Sequence, residues 1–229
     1  MNGVSEFFLN DVCDALDTYR GRDKLIRTLC YTSKLIGSLA CDDNFAKKCR
    51  IFGSHMSTAR IVTGLFNDLP ALKNTLNYGV GDKEPDSFLA TISFIINVVD
   101  QLYFFVDKIA WFAEINIITV KSTAAWRTSS TVLCGISIYL NLVRTLRQSI
   151  ALHHHKDTIR NEETRQSALM KIADHHMELL SLVRLSLDLT QTINSLPSGF
   201  LWSSKLRQSQ IGLIATISSF VGLYQMFAK

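Results

Sequence analysis

Of 229 residues, 47% are hydrophobic and only 19% charged, more apolar than a typical soluble domain and a poor match to an ordinary soluble enzyme. The net charge of +4 conceals an asymmetry: residues 1–19 carry four acids and no Lys or Arg, whereas residues 20–60 carry nine basic residues against Asp23, Asp42 and Asp43. A basic block in an apolar chain points to anionic lipid headgroups, and no groove-binding or zinc signature accompanies it, so no nucleic-acid partner is expected. Five cysteines (Cys13, Cys30, Cys41, Cys49, Cys134), with no C-x-x-C spacing, suggest reduced thiols facing a cytosol-like compartment.

The chain reads as all-α. The first residues lack a basic segment followed by an apolar one, and they carry acids but no arginine, so neither a secretory signal nor a mitochondrial presequence is expected. The C-terminal Met226-Phe227-Ala228-Lys229 is not a peroxisomal matrix tripeptide. From Lys24 to Leu39, the residues Leu25, Leu29, Thr32, Ile36 and Leu39 share one helical face, with Lys24, Arg27, Tyr31, Lys34 and Ser38 on the opposite side. A second amphipathic helix is predicted over Phe45–Leu69. Phe45, Phe52, Met56, Ala59 and Phe66 form its apolar face, Lys47, Lys48, Arg50 and Arg60 lie off it, and Gly53-Ser54-His55 interrupt the pattern. Such helices either lie in a membrane interface or pack together as a small bundle.

Residues 78–87, rich in glycine and charge, form a linker. From Phe88 to Lys121 a long apolar helix is predicted. Its charges, Asp100, Asp107, Glu114 and Lys121, recur every seven residues and form one narrow stripe extended by Asn97 and Gln101. A central acid costs about 2.5–3.5 kcal/mol on insertion scales, so this helix is expected deep in the interface or in a bundle with its stripe turned to partners. A further candidate span covers 123–143, with Arg127 snorkelling to headgroups. Beyond Arg144 the chain is polar and helical, and its histidines (His153, His154, His155, His175, His176) read as solvated or interfacial, not as metal ligands. Pro197-Ser198-Gly199 breaks the helix, and Phe200, Leu201 and Trp202 read as interfacial anchors.

Gln208 to Ala228 is an uncharged run of 21 residues, bounded by Arg207 and Lys229. At about 1.5 Å per residue it reaches roughly 31 Å, the thickness of a hydrocarbon core. Within it Gly212, Ala215, Ser219 and Gly222 form a small-residue seam where another helix could approach. The expected organisation is therefore amphipathic helices at 1–77, the linker, apolar membrane-associated helices at 88–147, a polar helical segment at 148–204, and a C-terminal transmembrane helix at 205–229. No cofactor, metal or catalytic residue is expected. Headgroup contacts are assigned to Arg22, Lys24, Arg27, Lys34, Lys47, Lys48 and Arg50. Membrane insertion falls to Leu25, Leu29, Ile36, Phe52, Met56 and Phe66, and an oligomer seam to Gly212, Ala215, Ser219 and Gly222.

Tyr19-Arg20-Gly21-Arg22-Asp23-Lys24-Leu25-Ile26-Arg27, then Tyr31-Thr32-Ser33-Lys34, resembles the opening of the peroxin-eleven family of peroxisomal membrane proteins. Lys47-Lys48-Cys49-Arg50-Ile51-Phe52 resembles its second basic helix, and Asp100 to Lys108 followed by Trp111 its middle apolar block. The likeness covers most of the chain and is strongest to the gamma subtype. It implies a peroxisomal membrane protein, multi-pass or at least C-terminally anchored, with both termini cytosolic. It further implies elongation and tubulation of the organelle before fission, self-association, pairing with sister subtypes, and recruitment of fission adaptors of a dynamin-related GTPase. The alternative is a pore or channel for small metabolites, with the Asp100/Asp107/Glu114 stripe lining a polar path.

Overall fold

A computed structural model describes residues 2–65, 68–81, 84, 86–159 and 165–228, with side chains described outside 2–8, 11 and 152–175. Every regular element among them is a helix: α1 (Asn2–Asp17), α2 (Tyr19–Leu39), α3 (Asp43–Gly64), α4 (Asp68–Tyr78), α5 (Ser87–Glu114), α6 (Thr123–Ile159), α7 (Arg165–Asn194) and α8 (Gln208–Phe227).

Local chemistry sets the boundaries. Thr18 caps α2 by accepting from the Gly21 N–H at 3.0 Å, and Asp42 caps α3 by accepting from the N–H groups of Asn44 and Phe45. Asp86 caps α5 through the Phe88 N–H at 2.9 Å. Each supplies an acceptor to donors that a helix start leaves unmatched. The α5 helix stops at Glu114 because Asn116 turns left-handed at φ 60°. Lys121 therefore lies outside the helix, and the predicted seven-residue stripe ends one step early.

The chain divides into two compact units, Met1–Leu65 with Leu206–Lys229, and Phe66–Lys205. This grouping is not linear: the C-terminal helix returns to the N-terminal ones. In the first unit, α2 packs against α1, α3 and α8. In the second, α6 packs against α5 and α7, and α4 against α5. The second unit holds the one aliphatic cluster of buried residues described, Leu89, Ile92 and Ile96, with Leu140 and Val143 packed against it.

Polarity is inverted relative to a water-soluble protein. The buried residues are largely small or polar, including Thr28, Ser130, Ser137, Thr216, Ser218, Ser219 and Gln225. The outward faces carry large apolar side chains: Phe94, Val98, Leu102 and Phe105 on α5, Ile136 and Tyr139 on α6, and Leu213, Ile217, Phe220 and Tyr224 on α8. Small and polar residues between helices with apolar residues outside is the arrangement expected when hydrocarbon is the solvent. Among the described residues three helices are long and apolar enough to cross a membrane: Ser87–Glu114, Thr123–Ala151 and Gln208–Phe227.

Candidate membrane interface

The cations of α2 and α3 do not form one set. Arg22, Lys47, Lys48 and Arg50 are exposed, whereas Lys24, Arg27 and Lys34 are half-buried. The Arg27 guanidinium donates to Ser218 Oγ of α8 at 3.3 Å and lies over the Tyr31 ring at 5.7 Å. Lys34 reaches the same ring at 5.5 Å. Asp23 and Arg60 pair between α2 and α3, with Oδ1···Nε at 2.8 Å and Oδ2···Nη2 at 3.3 Å. Pairs of this fork geometry neutralise charge where two helices meet.

The apolar residues assigned to insertion stand mostly outside. Leu25, Leu29, Ile36 and Phe52 are exposed, at 38–45% of their surface, and Met56 is half-buried. Phe66 lies outside the described residues. On α3, exposed Phe45, Ile51 and Phe52 stand within two turns of exposed Lys47, Lys48 and Arg50.

Gly212, Ala215, Ser219 and Gly222 all fall on the buried face of α8. A Cβ added at Gly212 would lie 3.2 Å from Leu35 Cα, closer than a side chain normally sits to backbone. The α2 helix packs against this seam from within the same chain, one of the two uses its small residues allow. Gly37 of α2 does the same on its other side, where an added Cβ would meet Cys49 Cβ at 2.9 Å.

In the second unit the acidic stripe of α5 faces α6. Arg127 donates to Asp107 Oδ1 and, through two nitrogens, to Glu114 Oε1 and Oε2, each at 2.7 Å. Ser130 donates to Asp107 at 2.7 Å, and Ser137 donates to Asp100. Lys108 pairs with Asp68 of α4, and Gln101 donates to Thr75 at 3.1 Å. The expected snorkelling of Arg127 is thus corrected: two carboxylates offer its fork a better set of acceptors than bulk headgroups. The signal for it was present, because Arg127, Ser130, Ser137 and Asn141 share one face of α6 and complement the α5 stripe.

At the mouth of α5, burial works against the charge of Asp86. The Phe88 N–H, Arg147 at 3.2 Å and the Leu89 N–H outweigh it and hold its pKa below the ordinary carboxylate value. Phe200 and Leu201 are exposed as expected of anchors, and Trp202 Nε1 donates to Thr190 O at 3.3 Å. Among the described residues no three His, Cys, Asp or Glu side chains gather to hold a metal ion. The side chains of His153, His154, His155 and His175 lie outside the described set.

Residues 9–227 match the family described as Peroxisomal biogenesis factor 11 (PEX11). The chain belongs to the PEX11 family. It is 32% identical over 226 residues to Peroxisomal membrane protein 11C of Homo sapiens, an alignment covering 95% of this chain and 93% of that protein. Peroxisomal membrane protein 11C of Mus musculus is similar to the same degree and over the same shares. Both match the gamma subtype that the sequence resembled. No solved structure matches. As a PEX11 protein the chain is a peroxisomal membrane protein of a family engaged in peroxisome biogenesis.

Proposed function

We propose that this chain remodels the peroxisomal membrane, promoting elongation and tubulation ahead of fission by inserting amphipathic helices into the cytosolic leaflet. The observation that carries the reading is α3, where Phe45, Ile51 and Phe52 are exposed beside Lys47, Lys48 and Arg50 on a short stretch of helix. Apolar side chains there would displace lipid while the cations, with Arg22, hold anionic headgroups. Insertion into one leaflet expands it relative to the other and favours curvature. Apolar helices, α8 among them, anchor the chain by an even number of crossings, which leaves both termini in the cytosol. Copies associate with one another and with sister subtypes, and they recruit fission adaptors of a dynamin-related GTPase.

The test is expression in cells lacking their own family members, with peroxisome length measured by fluorescence microscopy. The chain is expected to lengthen peroxisomes, and a variant combining Lys47→Glu, Lys48→Glu and Arg50→Glu to lengthen them less while still reaching the organelle. Unchanged morphology with the chain correctly located would overturn the proposal. A channel reading gains no support from the acidic stripe, whose three carboxylates already accept hydrogen bonds from α6.

A further inference from the structure

We infer that Ser93 of α5 and Arg144 of α6 form a binding site for one phosphate group, supplied by the membrane as the headgroup phosphate of an anionic phospholipid. The inference rests on the reading that the α5–α6 pair is embedded in the bilayer. The two helices meet through one polar stripe. On α5 it consists of Asp86, Ser93, Asp100, Asp107 and Glu114, each seven residues from the last. Ser130 donates to Asp107 and Ser137 to Asp100. The helices are therefore antiparallel, and a further step of seven on each sets Ser93 level with Arg144. Elsewhere the stripe is matched: Asp86 by Arg147, Asp100 by Ser137, and both Asp107 and Glu114 by Arg127. At the Ser93–Arg144 rung it is not. Ser93 is only 4% exposed and its Oγ has no hydrogen-bond partner, and the Arg144 Nε is also buried without one.

Among the described residues no acid stands at this rung. Asp100 accepts from Ser137 and lies one step away, about 10 Å along the axis. On the other side α7 runs back along α6, and the close approach of Thr192 to Gly135 sets Arg144 level with Val183. The acids of α7 nearest that level, Glu178 and Asp188, are about 7 Å away along the axis in either direction. An arginine in hydrocarbon without a counter-charge is costly unless an anion reaches it. Phosphate suits this pair, because its oxygens accept from a guanidinium fork and a hydroxyl at once. The depth suits a lipid. Asp86 and Arg147 mark the rim of the apolar length of both helices, and the rung lies within about 10 Å of that rim. Snorkelling and local thinning bring headgroup phosphates within reach of an arginine there. Exposed Phe94 and Ile95 on α5 and Leu146 on α6 stand within a turn of the rung and offer apolar surface to the acyl chains.

The experiment melts the purified full chain in detergent with added phosphatidylglycerol, diacylglycerol or inorganic phosphate. Phosphatidylglycerol is expected to raise the melting temperature and diacylglycerol to leave it unchanged. Arg144→Gln should need about tenfold more phosphatidylglycerol for the same gain, and Ser93→Ala should shift it in the same direction. The variant combining Lys47→Glu, Lys48→Glu and Arg50→Glu should keep the gain, which separates this site from the cations of α3. Without lipid, Arg144→Gln is expected to melt no lower than the parent, because it removes a buried charge that has no partner. Equal stabilisation of the parent and Arg144→Gln by phosphatidylglycerol would overturn the inference. A gain from inorganic phosphate alone, lost in Arg144→Gln, would keep the phosphate site and overturn its lipid source. Release of the chain from vesicles by alkaline carbonate would overturn the embedding, and the inference with it.

Discussion

Arg127 holds two carboxylates of the neighbouring helix at once, and that makes it the most sensitive single side chain of the second unit. Its replacement by Ala leaves Asp107 and Glu114 facing an apolar helix pair without a cation. A loss of about 2 kcal/mol is expected, because a stranded charge costs more than the pair had contributed. Arg127→Lys should recover only part of it, since one ammonium cannot match both carboxylates as the planar fork does. Thermal unfolding in detergent, compared across the three proteins, reads this directly. Asp86 provides a pH-dependent counterpart. Its pKa is depressed in the folded chain, so the stability it contributes is present above the unfolded value of about 3.9 and is lost as pH falls through the folded value. Asp86→Asn is therefore expected to lower the melting temperature at neutral pH, with the gap to the parent closing in acid. A gap independent of pH would assign the effect to capping geometry and not to charge.

At the scale of elements, the α2–α8 pair depends on the absence of a side chain at Gly212. A leucine there must push α2 aside, and overpacking of this kind costs about 1–3 kcal/mol. The α3 helix behaves differently, because its cations face outward. Lys47→Glu with Lys48→Glu is expected to weaken binding of the full chain to anionic vesicles by about 1 kcal/mol per residue at low salt, less as salt rises. Co-sedimentation across a salt series measures it. The faces of these elements were legible in the sequence: the Leu25–Leu29–Ile36 stripe, the Asp100–Asp107–Glu114 stripe and the small-residue seam all stand on single helical faces in the structure. What each face meets was not legible. The Arg27 to Ser218 bond joins residues 191 apart, and no local pattern encodes so distant a pairing. The polar side of α2 is legible as a cationic face, and only the fold shows Arg27 and Lys34 beside the Tyr31 ring. Lys121 was placed on the α5 stripe because nothing in the periodicity marks the left-handed turn at Asn116.

For the whole molecule, the decisive property is inverted polarity, with serines and threonines inside and Phe, Leu and Ile outside. Composition announced a membrane protein, and the final uncharged run gave its position. The pairing of that run with a helix from the opposite end of the chain required the fold. The gathering of α2, α3 and α8 into one unit sets the exposed basic and apolar α3 against α2, the helix that packs on a candidate span. The central claim, that this chain deforms the membrane it occupies, is tested most directly by reconstituting the purified full chain into anionic vesicles and imaging them by electron cryomicroscopy. The account predicts tubules whose abundance rises with protein density and falls for the variant combining Lys47→Glu, Lys48→Glu and Arg50→Glu. Vesicles that stay round at high density of correctly inserted protein would contradict it.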